Sequence, residues 1–198
     1  FVFSLLVGIS AGVIAAWKRG KLPDSLVMAG ALLFYATPLF WIALMSVLLF
    51  SIQLSWFPAF GMETLGAGLT GWARVGDIAQ HLVLPVVTLG LFSAAVYARL
   101  TRASMLEVMS LDFVKTARAK GVPQGRIIRR HVLRNAILPV FTFASMQAGQ
   151  LVGGAVLTET VFAWPGLGLY ITNALFSADM PAVLGGTVVV GLVFVGIN

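Results

Sequence analysis

The sequence predicts an all-α fold, a polytopic membrane helical bundle, and three observations predict it. Hydrophobic residues fill 59% of the 198 positions and charged residues only 10%, against about a quarter charged in soluble domains. The apolar residues gather into five runs that meet or approach the ~20 residues a helix needs to cross the hydrocarbon core. Those runs do not alternate polar with apolar, as the strands of a membrane barrel would, and a helix satisfies its own backbone in lipid.

The first run, residues 1–16, has no basic residues before it and no required cleavage site, so it reads as a span and not as a signal peptide. Residues 26–53 form the second, in which Pro38 removes one helical hydrogen bond and predicts a kink. Residues 79–98, 136–157 and 181–198 are the third to fifth. The chain opens on Phe1 directly into one apolar run and stops at Asn198 within another, so it reads as a single transmembrane domain over 1–198, truncated at both ends.

Short loops rich in Lys and Arg stay in the cytoplasm. Lys18, Arg19 and Lys21 lie between spans one and two, and nine more basic residues lie in the segment of about 99–135, together twelve of the thirteen. Two spans separate these loops, so both face the same side, and the charge pattern agrees with that parity. The loops of about 54–78 and 158–180 hold only Arg74 among basic residues and face outward, with Trp56, Trp72, Phe162 and Trp164 suited to the interface.

Several kinds of chemistry are excluded. The sequence pI near 10.3 could suggest nucleic acid, but the basic residues alternate with apolar runs and form no single stripe. No cysteine is present, which removes disulfides, thiol chemistry and thiolate metal sites. His81 and His131 fall on opposite sides of the membrane and cannot share a metal; the first reads as interfacial, the second as a polar member of a basic helix. Asp24, Glu107 and Asp112 are cytoplasmic while the other four acids are outside, so no catalytic carboxylate pair or Ser-His-Asp site assembles. The glycine-rich "GAGLTGWARVG" lacks the Gly-Lys-Ser/Thr ending of a phosphate loop. The expectation is therefore no catalytic, cofactor or metal residue in this chain. No charge is expected in the middle of a span, where it costs at least about 2.5 to 3.5 kcal/mol, which argues against an ion relay.

The stretch "FVKTARAKGVPQGRIIRRHVLRNAILP", residues 113–139, carries seven of the thirteen Lys and Arg. Asp112 near a helix start, Phe113, Val114 and Ala117 at spacings of three and four, and Gly121 as a stop predict a short helix. Pro123 suits the first turn of a second helix, with Ile127, Ile128 and Val132 on one face and arginines on another, leading into span four. Topology and attraction to anionic lipid would explain the charges alone. Three basic residues suffice to orient the other loop, however, and topology needs neither a glycine stop nor a second helix, so a docking surface is expected.

"DFVKTARAKG", "RRHVLRNAILPV" and "ETVFAWPGLG" together resemble the membrane subunit of binding-protein-dependent ABC importers, the group handling dipeptides, oligopeptides and nickel. The resemblance covers essentially the whole chain, from within the family's second span to within its sixth. It implies a type I importer permease in the bacterial inner membrane, with six spans in the full protein and five here. It also implies a coupling helix that fits a cleft on a separate ATPase subunit, which binds the ATP. Gly121 matches the glycine of the general Glu-Ala-Ala-three-residues-Gly motif and Ala117 its second alanine, while Thr116 and Lys115 replace the first alanine and the glutamate. His131 and Arg134 replace the motif's Ile and Pro, departures similar to those usual in the peptide and nickel group. The implied coupling residues are Asp112, Phe113, Lys115, Thr116, Ala117, Arg118, Lys120 and Gly121. The implied partners are ABC ATPase subunits, a second related permease and an external substrate-binding protein, alongside membrane lipids.

In span four, Ser145, Gly149 and Gly153 recur every four residues, which permits close helix packing within this subunit or against a second one. Gln147 and Gln150 line a pathway or bond between helices; Glu159 holds an outer gate or faces water. Two alternatives predict differently. An ion-coupled secondary transporter would move solute without any ATPase and needs a buried ionisable site, and a lipid-handling membrane enzyme would turn over substrate alone. The expected cargo is peptides or related small solutes, with nickel and glutathione-like molecules as the alternatives.

Overall fold

The computed structural model describes residues 1–197, with the side chains of residues 150–154 outside that description. Among the described residues every regular element is helical: α1 (Val2–Trp17), α2 (Leu22–Ala36), α3 (Leu39–Ser46), α4 (Gly71–Met109), α5 (Asp112–Ala119), α6 (Gln124–Arg126), α7 (Leu133–Gly154), α8 (Val156–Val161), α9 (Leu167–Phe176) and α10 (Met180–Ile197). Wide π-type turns extend α3 over Val47–Gln53 and join α6 to α7 over Ile127–Val132. The described residues of the five expected runs lie largely on helix. By length and composition two helices suffice to cross a bilayer, α4 and α10, and α2 with the extended α3 adds a third if they count as one broken span. At 16 residues α1 is apolar but shorter than the ~20 of a perpendicular span.

Two boundaries differ from expectation. The second run is not one kinked helix: α2 stops at Ala36 and α3 restarts at Leu39 behind Pro38, whose ψ of 134° is extended. The ring of Pro38 disfavours helical backbone at Thr37 and donates no N–H, so the helix ends there. The third run does not end at residue 98. α4 continues for 39 residues, about 58 Å at 1.5 Å per residue, so it is far longer than the hydrocarbon core and carries Arg99 and Arg102 on regular helix. Hydropathy ends a span at its first arginine. The helix persists because the residues up to Met109 are good helix formers and Met105 is packed.

The chain divides into two compact units. The first combines residues 1–36 and 91–146. Here α1 crosses α4 through glycines: a Cβ at Gly8 would lie 2.6 Å from Tyr97 Cβ, and one at Gly12 would lie 2.6 Å from both Ala98 O and Thr101 Cβ. Ser4, Gly8, Gly12 and Ala16, four residues apart, are all buried, so the small side of α1 lets the two backbones approach. Nearer the basic corner of Lys18 to Lys21, Arg102 donates from Nε to Asp24 Oδ1 at 2.6 Å and from Nη2 to Oδ2 at 2.8 Å, while Gly20 N–H donates to Oδ2 at 2.9 Å. Asp24 is 5% exposed. Asp24→Ala is therefore expected to cost about 3–5 kcal/mol, because it strands a partly buried guanidinium. Thermal unfolding in detergent checks this, and the Asp24→Ala, Arg102→Met double variant should recover much of the loss.

The second unit combines residues 37–90 with the stretch from Gln147 onward. Its core joins Ala43, Val47, Leu84 and Phe162, with Phe50 and Phe57 packed against them. Gly61 N–H donates to Phe162 O at 2.9 Å, which ties the segment after α3 to the one after α8. Asp77 accepts from Thr64 N–H and Oγ1, each at 2.7 Å, anchoring the first of those loops to α4.

Candidate functional site

The basic segment is an ordered helical corner. Leu111 is extended (φ −72°, ψ 151°), so the chain enters α5 after a clean break from α4. Asp112 stands in the first turn, where its charge suits the helix N-terminus, and Arg118 in the last, where a cation suits the C-terminus. Lys115 Nζ reaches Asp112 Oδ1 at 2.8 Å, and Thr116 Oγ1 donates to Asp112 O at 2.9 Å.

α5 ends in a Schellman motif. Gly121 adopts φ +74°, Val122 N–H donates to Ala117 O at 3.1 Å, and Gly121 N–H donates to Arg118 O at 2.9 Å. A side chain would be strained at that φ, which is the physical reason for glycine here. The reversal turns the chain into α6 behind Pro123, which caps the helix one residue before its first turn.

One face of α5 is committed inward. Val114 is fully buried in a cluster with Ala16 of α1, Met105 of α4, Ile127, Ile128 and Val132 of the π turn and Ala136 of α7, and Ala117 packs against the same cluster. The expected apolar face of Ile127, Ile128 and Val132 is therefore real, with Arg129 and Arg130 exposed opposite. On α5 the sequence grouped Phe113 with Val114 and Ala117, but Phe113 is 41% exposed. The face open to a partner consists of Phe113, Lys115, Thr116, Arg118, Ala119 and Lys120, with Leu111 beside it. Half-exposed Leu111 and Phe113 among cations give an apolar knob within a basic rim. Val114 packs α5 against α1, α4 and α7.

Other expected residues lie elsewhere. Ser145 is exposed and its hydroxyl donates to Phe141 O at 3.0 Å, Gln147 is half-buried and Gly149 is buried. Gln150 and Gly153 lie outside the described residues. Glu159 neither hangs free nor meets a cation: its Oε2 accepts from Gly168 N–H at 2.7 Å and Leu169 N–H at 3.1 Å, capping α9. Gly166 and Gly168 make room for this, since a Cβ at either would collide with the Glu159 carboxylate or Val156. The "ETVFAWPGLG" stretch is thus a braced hairpin between α8 and α9. His81, expected at the interface, is buried with Nδ1 2.9 Å from Asp77 O.

Sequence reading missed the α1 stripe of Ser4, Gly8, Gly12 and Ala16, although its four-residue spacing was as regular as that of Ser145, Gly149 and Gly153. It also missed the partnership of Asp24 with Arg102, which no local pattern announces across 78 positions.

Residues 8–198 match the model of the family described as binding-protein-dependent transport system inner membrane component. The chain is 40% identical over 213 residues to the dipeptide transport system permease protein DppB of Alkalihalophilus pseudofirmus, covering 100% of this chain and 63% of that relative. It is 41% identical over 211 residues to the di/tripeptide transport system permease protein DppB of Pseudomonas aeruginosa, with the same coverage. It is 41% identical over 214 residues to the dipeptide transport system permease protein DppB of Escherichia coli, again covering 63% of that protein. The chain spans less than two thirds of the length of these relatives.

Proposed function

The chain belongs to the family of binding-protein-dependent transport system inner membrane components, and from that premise we propose that it is the permease subunit of an ATP-driven importer of short peptides. The names of its relatives, dipeptide and di/tripeptide permeases, support peptides over nickel or glutathione-like solutes as cargo. Its partners in this reading are separate ATPase subunits, a second related permease and an external binding protein. ATP binds the ATPases, and this chain contributes the pathway and the lever.

The observation that carries the reading is the corner at α5. A short helix with an exposed apolar and basic face, fixed by Val114 to α1, α4 and α7, transmits displacement from a cytoplasmic partner to membrane helices. A ligand shifts a conformational equilibrium only by its differential affinity for the two states. ATP does so by favouring closed ATPases, and α5 couples that preference to the pathway.

Reconstitution of the full-length permease pair, ATPases and binding protein into proteoliposomes tests the proposal. Dipeptide uptake is expected to require ATP on the ATPase side and to stop when the ATPases are omitted. Uptake that persists without them and follows an ion gradient would replace this reading with a secondary transporter.

A further inference from the structure

Two arginines beyond α5 open a stripe that runs on into apolar surface. Arg130, Arg134, Leu138 and Phe141 follow one another at spacings of four, four and three, the intervals that keep side chains on one face of a helix. All four are exposed, Leu138 by 65% and Phe141 by 51%. The opposite face is committed inward, with Val132, Ala136 and Val140 buried. One stripe of α7 and the turn before it thus passes from two cations to bare apolar side chains without a break.

The depth of that change follows from α1. Ala16 shares a buried cluster with Ala136, and Ile9 packs against the cluster of Val140 and Ala144, so α1 and α7 run side by side in opposite directions within the first unit. Arg134 therefore stands level with the corner of Lys18 to Lys21, which interrupts the apolar runs of α1 and α2 and so marks a membrane edge. Phe141 is seven residues beyond Arg134, about 10 Å at 1.5 Å per residue, well inside one leaflet of a ~30 Å hydrocarbon core. Side chains lean back toward the N-terminus of their helix, which tilts the Arg134 guanidinium toward the headgroup layer.

Beside Phe141 lies an apolar groove of about 230 Å³, lined on the α1 side by Val2, Leu5, Leu6, Ile9 and Ser10. Neither Arg130 nor Arg134 enters an ion pair among the described residues, whose pairs use Glu63, Asp77, Asp24 and Asp112. The complement of two cations beside such a groove is an anion that carries a hydrocarbon chain. A soluble acidic protein would meet the arginines but end at the membrane surface, whereas Leu138, Phe141 and the groove continue beneath it. A zwitterionic lipid would bring a cation of its own to the same place.

We propose that α1 and α7 hold an anionic phospholipid, its phosphate on Arg130 and Arg134 and one acyl chain laid over Leu138 and Phe141 into the groove. Guanidinium forks pair with phosphate oxygens through parallel charge-assisted hydrogen bonds, and basic pockets between membrane helices suit such headgroups. The site is independent of the importer reading above and uses no residue of the exposed α5 face.

Native mass spectrometry of the full-length protein in its assembled complex, extracted from proteoliposomes of equimolar phosphatidylglycerol and phosphatidylcholine, counts the lipids retained. Phosphatidylglycerol is expected to be retained in preference. Arg134→Gln is expected to weaken that retention about tenfold or more, the loss of one charge-assisted contact. Leu6→Trp, which fills the groove from an exposed position, should weaken it with every charge intact, and Arg129→Gln, which removes a neighbouring charge from another face of the same turn, should leave it unchanged. Equal losses in Arg129→Gln and Arg134→Gln would reduce the effect to diffuse attraction by the basic segment and overturn the proposal. Retention of both lipids alike would overturn it in favour of bulk lipid, and retention of neither would give the groove to a protein neighbour.

Discussion

Gly12→Leu is expected to leave almost no folded protein in the membrane. A Cβ at that position would lie 2.6 Å from Ala98 O, a backbone atom that cannot rotate away, and 2.6 Å from Thr101 Cβ. Overpacking ordinarily costs about 1–3 kcal/mol. Here α1 would have to withdraw from α4, which also opens the contacts of Gly8 one turn above and of Ala16 one turn below. Gly12→Ala meets the same backbone atom with less bulk and should be intermediate. Gly76→Leu, where nothing lies within 4 Å of the added Cβ, should accumulate normally. Fluorescence-detected size exclusion of the three variants checks the order, and equal behaviour of Gly12→Leu and Gly76→Leu would contradict the close crossing.

Phe113→Ala combined with Arg118→Glu is expected to weaken ATPase association about tenfold or more, since a half-exposed aromatic at the centre of a docking face and a reversed rim charge are the kinds of change that dominate interface energetics. Titration of purified ATPase against the permease in nanodiscs measures it, with thermal stability unchanged because both side chains are exposed. Val114→Asp and Ala117→Glu form the instructive contrast. Both place a carboxylate against the cluster of Met105, Ile127, Ile128 and Val132, so they should lower stability first, and any loss of ATPase binding would follow from unfolding of the corner. Ala117→Glu is thus a poor probe of docking.

Much of this arrangement was legible before any coordinates. The period of apolar residues around Val114 and Ile127 predicted the two helices of the basic corner, and Gly121 announced the turn because few other residues adopt its backbone angles. The apolar runs located the long helices, but α4 begins eight residues before and ends eleven residues beyond the expected 79–98. What sequence reading lost were facts decided between segments. Arg99 looked like the end of a span because hydropathy treats every arginine as a boundary, whereas α4 runs on as regular helix to Met109. Glu159 looked like a gate or a solvated acid, whereas Gly166 and Gly168, seven and nine positions later, bring two backbone N–H groups to it. Pro38 announced a disturbance but not its size, which depends on whether the helix can continue beyond the restricted Thr37.

The central claim is that the exposed face of α5 touches the motor, and cross-linking from that face tests it most directly. Ala119 is exposed beside Arg118, so Ala119→Cys carrying a photoreactive thiol label should form an adduct with the ATPase in intact membranes, at a yield that changes when ATP is added. Adducts with lipid alone, in membranes where the ATPase is present and assembled, would contradict the account and return the basic corner to a role in topology and lipid attraction.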